Sequence, residues 1–474
     1  MEKYESPLAS RYASANMQRI FSNSYRYGLW RRLWTELAES QHELGIRVSS
    51  EQVRQMREHL DDIDFEAVAR YEAETRHEVM AHIRAFGDVA PDAMPIIHLG
   101  ATSAFVMDNS DLLQARNALK LVEKQIQKVL HALAGRARRY RSLAVLGYTH
   151  FQPAQITTLG KRVSLWMQDL HMDLKGVRSL IRDMPFLGMK GATGTQASVL
   201  ALCDGDGEKV RKLDERIGRK LGFAKVLTVS GQTYPRKIDS LVYRVLCGVA
   251  ESASKFAHDI RLLQHTGELM EPFRGKQVGS SAMPYKRNPM ASERICGLSR
   301  FLISLGINGP LTAGTQWLER SLDDSSNKRL AMPQAFLTAD AILHHVYNIA
   351  RGFEVVEPVI RSVLAKKLPF IATENILMAA VRAGGDRQNL HERIREHSML
   401  ANERLQQGAG DNDLLSRLMR DEQFASIRDK LEKPLDPNDF VGLAPQQVDR
   451  FLEEIANDLG EESGEDPWES EISV

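Results

Sequence analysis

Residues 112–134, "LLQARNALKLVEKQIQKVLHALA", place Leu112, Ala115, Leu119, Val122, Ile126, Val129 and Leu133 at steps of three and four, one unbroken apolar stripe along a helix. The same period runs through Ile238, Leu241, Val245, Val249, Ser252, Phe256, Ile260 and Leu263. There Val242, Leu246, Ala250, Ala253 and Ala257 widen the stripe to a broad arc, and such a helix needs neighbours on several sides. Segments 158–184, 291–306 and 326–352 share the pattern, with Gly and Pro clusters between them. Alternating strand patterns are scarce, "AKVLTV" at 224–229 being the one good candidate. A chain patterned this way is expected to be all-α, a bundle of very long helices that stands alone or packs against other subunits.

One compact domain is too few for 474 residues. A first boundary is expected near "FGDVAPDAMPIIHLGATS" (86–103), and a second after Gly352, where "EVVEPVIRSVLAKKLPFIATE" changes the rhythm to short helices. The expected division is an N-terminal helical domain over 1–102, a central long-helix domain over 103–355 and a C-terminal helical domain over 356–460. The remaining residues, 461–474, form an acidic tail expected to be disordered.

Basic and acidic residues number 62 each, which argues against nucleic acid as the main partner while leaving room for a local basic pocket that holds one phosphate. "MEKYESPLASRYAS" has no apolar core of a signal peptide, and no stretch approaches eighteen apolar residues, so neither secretion nor a membrane span is expected. Cys203, Cys247 and Cys296 are sparse, odd in number and without CxxC spacing, as suits a reducing compartment; the cytoplasm is the default.

Three segments imitate binding motifs. His77 and His82 in "HEVMAH" are five apart, whereas two zinc ligands on one helical face need four. "GMKGATGTQ" (188–196) lacks the GxGxxG spacing and a preceding strand, so it reads as a loop of closely approaching backbone. "DGDGEK" (204–209) has Lys209 where a calcium loop turns on glycine, and reads as the cap of the next helix. No metal and no cofactor is expected.

"GSSAMPYKRNPM" (279–290) interrupts this helical chain with a segment that Pro284 and Pro289 keep from being helix. Gly279, Ser280 and Ser281 offer consecutive backbone N–H groups that can hold an oxyanion, and Lys286 adds a positive charge. Without a G-x-S-x-G elbow, a conventional hydrolase serine is not indicated. A serine could instead abstract a carbon-bound proton if amides and Lys286 stabilised its alkoxide, given an acid for the leaving group. His150 in "GYTHFQPAQITT", which Pro153 keeps out of helix, is the best local candidate for that acid. Taken alone, it reads more readily as a satisfied structural histidine.

"GSSAMPYKRNP" resembles the signature loop of the fumarase/aspartase superfamily, "THFQPAQ" its second region and "HLGATSAFVMDNSD" (98–111) its first. The resemblance implies three mostly helical domains, a central bundle that joins four subunits in a twenty-helix core, and active sites each built from three subunits. Within the superfamily, "SPLASRYAS", "RHEVMAH", "SGQTYPRK", "QWLERSLDDSSNKR" and "APQQVDRFLEE" resemble, in order, the adenylosuccinate lyase family, and particularly the group that includes the animal enzymes. Argininosuccinate lyase and fumarase share the loop but not "SRYAS" or "ERSLDDS".

That family releases fumarate from adenylosuccinate, giving AMP, and from SAICAR, giving AICAR. Carried over by position, the base is Ser280, the general acid is His150, Lys286 meets the developing charge, and Glu293 is the carboxylate that pairs with the acid histidine. Thr102, Ser103 and Asn288 match ligands of the fumarate-side carboxylates, with Gln232 near the succinyl group. Arg11, Tyr12, Arg320, Ser325 and Arg329 match nucleotide and phosphate contacts, and Arg76, His77 and Arg294 further binding positions. Glu78 departs from the pattern, since aspartate is expected after Arg-His; the charge is kept with one methylene more reach. A structural protein on the same fold, as lens crystallins resemble argininosuccinate lyase, is the non-enzymatic alternative, and the intact Ser280, His150, Lys286 and Glu293 argue against it.

Overall fold

The computed structural model describes residues 4–273, 282–461, 464, 467 and 468. Its fold is all-α, and five long helices make the body: Ser103–Arg139, Leu159–Asp183, Lys237–His265, Met290–Leu305 and Asp323–Gly352. Each grows from one of the five apolar stripes. The first runs 37 residues, about 55 Å at 1.5 Å per residue, and buries all seven stripe positions from Leu112 to Leu133. In Lys237–His265 the positions that widen the stripe are buried, from Val242 to Ala257, but Ile238, Leu241 and Val245 stay only partly covered. The arc is wider than the chain's own helices can shield.

The expected strand at 224–229 does not form. Within it only Val226 pairs, through one parallel bridge to Phe186. Its side chain lies against Gly218, so this apolar run plugs a helix–loop contact rather than joining a sheet. The two longest strands among the described residues are instead β1 (Ala144–Thr149) and β2 (Gln152–Thr158), an antiparallel hairpin pairing Ala144 with Thr158 and Thr149 with Gln152. A register shift between Leu146 and Tyr148 breaks the period-two pattern that would have revealed it.

One hydrophobic core runs from Met17 and Trp34 through the bundle to Val448 and Ile455. The helix Ala444–Leu459 therefore returns to the Ser103–Arg139 and Leu159–Asp183 helices. Between 372 and 431 the shorter helices gather round a separate core that includes Leu377, Leu390, Leu414 and Phe424. At the first expected boundary, Glu78–Val89 stays helical before turns lead into Ser103. Most of 461–474 lies outside the described residues, but Trp468 is among them and is buried.

The motif imitations resolve locally. Gly194 has φ +83°, and a Cβ there would sit 1.9 Å from the Ser230 carbonyl oxygen, which is the close backbone approach that glycine permits. Asp206 caps Gly207–Lys220 by accepting the Lys209 N–H. His82 is buried beside Tyr27, with ring centroids 4.0 Å apart, while His77 caps the start of its helix. Among the described residues, no group of three or more His, Cys, Asp or Glu side chains is placed to hold a metal ion, and no helix is long and apolar enough to cross a membrane.

Candidate active site

The candidate site residues fall in three places on the chain. The largest group lines a cavity of about 570 Å³ containing Arg76, His77, Glu78, Thr102, Ser103, Gln232 and Arg320. It shares Glu78, Met107, Asp108 and Arg320 with a second cavity of about 320 Å³, which carries Ser325 and Arg329. Local rules explain these positions. Arg76, at φ +51°, ends the Phe65–Thr75 helix in a left-handed turn, and His77 then caps the next helix by accepting the Met80 N–H through Nδ1. Thr102 is the N-cap of the 37-residue helix, yet its side chain makes no capping bond. The hydroxyls of Thr102 and Ser103 thus stand where unpaired N–H groups and the helix dipole favour an anion. Gln232 is set by its backbone N–H donating to the Glu319 carbonyl at 3.0 Å, beside Arg320.

A buried ion network holds the second cavity. Arg236 donates to Asp108 at 2.9 and 3.2 Å and to Asp324 at 2.5 Å. Asp324 in turn accepts from Arg320 at 2.8 Å, so Arg320 is aimed by a carboxylate that Arg236 fixes. Lys328 pairs with Asp111 at 2.6 Å. The contact of Glu78 is now clear: one carboxylate oxygen accepts the Tyr27 hydroxyl at 2.8 Å, and the other pairs with Arg329 at 2.6 Å. Burial works against its ionisation, but Arg26 and Arg329 prevail and hold Glu78 below the usual carboxylate range. Burial, with Glu78 beside it, pushes Tyr27 up to about 12. His98, which also lines the larger cavity, is lowered to about 4 by burial and then by His77, so it is neutral and can accept the Trp34 indole N–H at 2.9 Å. Tyr27, His98, Asp108, Arg236 and Lys328 were not singled out from sequence, although all but Tyr27 lie in the segments that carry the resemblance: His98 and Asp108 in "HLGATSAFVMDNSD", Arg236 in "SGQTYPRK" and Lys328 in "QWLERSLDDSSNKR".

The second group lies about the start of Met290–Leu305. Tyr12, on the single π-turn Leu8–Tyr12 that also carries the exposed Arg11, has the Arg294 guanidinium 5.9 Å from its ring centroid. Glu293 stands 4.0 Å from Arg261, and Lys286 is exposed on the stretch that leads through Asn288 into the helix. Glu271 accepts the N–H groups of Ala291 and Ser292, each at 3.0 Å, and the Ser292 hydroxyl at 2.9 Å. The two sides of the signature segment are tied together there. Ser280, with Gly279 and Ser281, lies outside the described residues.

His150 is the third. With Phe151 it forms the hairpin tip, at φ +54° and +56°, a turn that ordinarily calls for Asn-Gly. Left-handed backbone costs about 1–2 kcal/mol at each such residue. The stem is held from three sides: Arg162 donates to the Leu146 carbonyl at 2.7 Å, Tyr148 to Glu268 at 2.7 Å and Gln155 to Glu374 at 2.8 Å. The tip itself is exposed. No described residue of the hairpin or of 282–305 lines either cavity.

A family described as "Lyase" matches residues 37–302, and one described as "Adenylosuccinate lyase C-terminus" matches 369–451. The chain is 48% identical to the adenylosuccinate lyase of Saccharomyces cerevisiae over 96% of this chain and 95% of that one. Against the adenylosuccinate lyase of Schistosoma mansoni the figures are 44%, 95% and 94%. Among solved structures, a 3-carboxy-cis,cis-muconate lactonizing enzyme from Pseudomonas putida superposes with a TM-score of 0.82 at 24% identity, over 96% of this chain and 99% of that one. A fumarate lyase from Mesorhizobium sp. BNC1 gives 0.79 at 22%, over 95% and 99%. Those two likenesses establish the fold, and the identities over nearly whole chains establish more: this chain belongs to the adenylosuccinate lyase family.

Proposed function

We propose that the protein cleaves adenylosuccinate to AMP and fumarate, and SAICAR to AICAR and fumarate, in purine nucleotide synthesis. The observation that carries this reading is the double cavity. Its first part offers hydroxyls at the N-terminus of a long helix, as a carboxylate requires, and its second offers Arg320, Ser325 and Arg329, as a phosphate requires. Those are the two ends of a succinylated nucleotide.

Ser280, as alkoxide, removes the succinyl Cβ proton, and the charge spreads into the adjacent carboxylate, where Lys286 and loop N–H groups meet it as it develops. The electron pair then forms the carbon–carbon double bond as the carbon–nitrogen bond breaks. His150 gives its proton to the departing nitrogen, paired in its charged form with Glu293. Asn288, Thr102, Ser103 and Gln232 hold the succinyl group, while Arg11, Tyr12, Arg76, His77, Glu78 and Arg294 surround the nucleotide. Fumarate release should follow mixing with adenylosuccinate but not with aspartate, argininosuccinate or malate; release from one of those three and not from adenylosuccinate would overturn the reading. The three free cysteines, two of them buried, fit a cytoplasmic setting.

Three separated groups on one chain support a site shared among three subunits of a homotetramer. Leu165 and Met172, Leu262, Phe301 and Ile303, and Leu330 are exposed apolar side chains on four of the five long helices, the surface from which a twenty-helix core would be made. Light scattering at micromolar concentration should give four times the chain mass. A fully active monomer would contradict both tetramer and shared site.

Arg329 is paired with Glu78, so a phosphate must take the carboxylate's place. Arg329→Ala should lower kcat/KM for adenylosuccinate by about 10–100-fold, as loss of a hydrogen bond to a charged group implies. The same variant should act equally on dephosphorylated succinyladenosine. A variant that keeps the wild-type preference for the phosphorylated substrate would remove Arg329 from the phosphate site.

A further inference from the structure

We infer that Trp468 is a positioning residue for substrate binding, a clasp that holds the arm bearing Arg11 and Tyr12 against the Asp323–Gly352 helix. The inference rests on the reading of Arg11 and Tyr12 as substrate contacts. The arm consists of the turn Leu8–Tyr12 and the short helix Ala15–Ile20, too little regular structure to hold itself in place. Its first anchor is Asp340, which is buried and accepts the Ser14 N–H at 2.6 Å, the Ser14 hydroxyl at 2.9 Å and the Gln125 amide at 2.5 Å.

The second anchor lies further along that helix. Residues 340, 344 and 347 recur at steps of four and three, so one face presents Asp340, His344 and Tyr347 in turn. Trp468 stacks on His344 with centroids 4.9 Å apart and planes at 16°, and on Tyr347 at 5.1 Å and 22°. It is 1% exposed, although it lies in a segment whose charge would otherwise carry it into solvent. The carbonyl of Pro467 accepts the Asn16 side-chain N–H at 3.2 Å, joining the arm to a residue 451 positions later. On the arm itself, the Arg294 guanidinium stands 5.9 Å from the Tyr12 ring centroid. The His344 and His345 ring centroids lie 6.5 Å apart, and Ser14 and Asn16 tie the arm to this same helix and to the indole's segment. Removing the indole frees Pro467, and with it the tie to Asn16 on the arm.

Steady-state kinetics of the full chain on adenylosuccinate test this. Trp468→Ala should raise KM about tenfold, ~1.4 kcal/mol of lost binding, with kcat within about twofold of the parent. Trp468→Phe, which keeps a stacking ring, should recover most of the loss. Asn16→Ala, which removes only the bond to Pro467, should raise KM in the same direction by a smaller factor. In the Arg11→Ala background Trp468→Ala should raise KM by a smaller factor than in the parent, because one of the two contacts it positions is already gone. If Arg11→Ala raises KM while Trp468→Ala and Asn16→Ala leave it at the parent value, the clasp is overturned and the arm remains a substrate contact. If none of the three raises KM, the arm is no substrate contact and both readings fall. Should Trp468→Ala fail to fold, a parental KM for Asn16→Ala overturns the clasp.

Discussion

Ser280→Ala is expected to bind adenylosuccinate and to keep the helical signal in circular dichroism, yet to lose fumarate release in a single turnover by roughly 10²-fold or more, the low end for a positioned acid–base group. The geometry around the loop makes the test clean. Glu271 pins the two sides of the signature segment by accepting the Ala291 and Ser292 N–H groups, and Gln264 donates to the Arg287 carbonyl at 2.9 Å. These supports join described residues on either side of the serine pair and do not depend on the hydroxyl of either serine. Ser281→Ala should do much less, because its contribution is a backbone N–H that alanine retains. If Ser281→Ala proves inactive and Ser280→Ala nearly normal, the base is the second serine. If both are active, the segment only holds substrate.

How much of this was legible beforehand depends on the range of the interaction. The long helices are written in local periodicity, and helices 103–139 and 237–265 appear where Leu112–Leu133 and Ile238–Leu263 place them. The hairpin beneath His150 is hidden because its register shift, with Gly147 at the break and Pro153 in β2, destroys the alternation that marks a half-buried strand. Val226, in a β-branched run, was drawn instead into a gap that Gly218 leaves open. The ion network was invisible for another reason. Asp108, Arg236 and Asp324 are over eighty residues apart in sequence and look like surface charges, yet each is buried and each is needed to satisfy the others. Thr102, Ser103, Arg320 and Arg329, singled out by resemblance, line the two adjoining cavities, but resemblance could not foretell that Glu78, one methylene longer than aspartate, would span Tyr27 and Arg329. Trp468 follows the same rule, since an isolated tryptophan among acidic residues gives no sign of the rings that receive it.

The separation of His150 from the cavity leads to the second large effect. His150→Gln alone and Ser280→Ala alone should each be nearly inactive on adenylosuccinate, each by about 10²-fold or more. If the acid and the base of one site come from different subunits, a hybrid tetramer contains sites in which both are intact. Random assembly from an equal mixture puts about a quarter of all sites in that condition, so coexpression should restore about a quarter of the parental turnover. The measurement is fumarate release from adenylosuccinate by the coexpressed pair, with hybrid tetramers verified by native mass spectrometry. Recovery to that level supports a lyase whose acid and base are joined only by assembly. Verified hybrids that show no more than the residual activity of the two variants would contradict it.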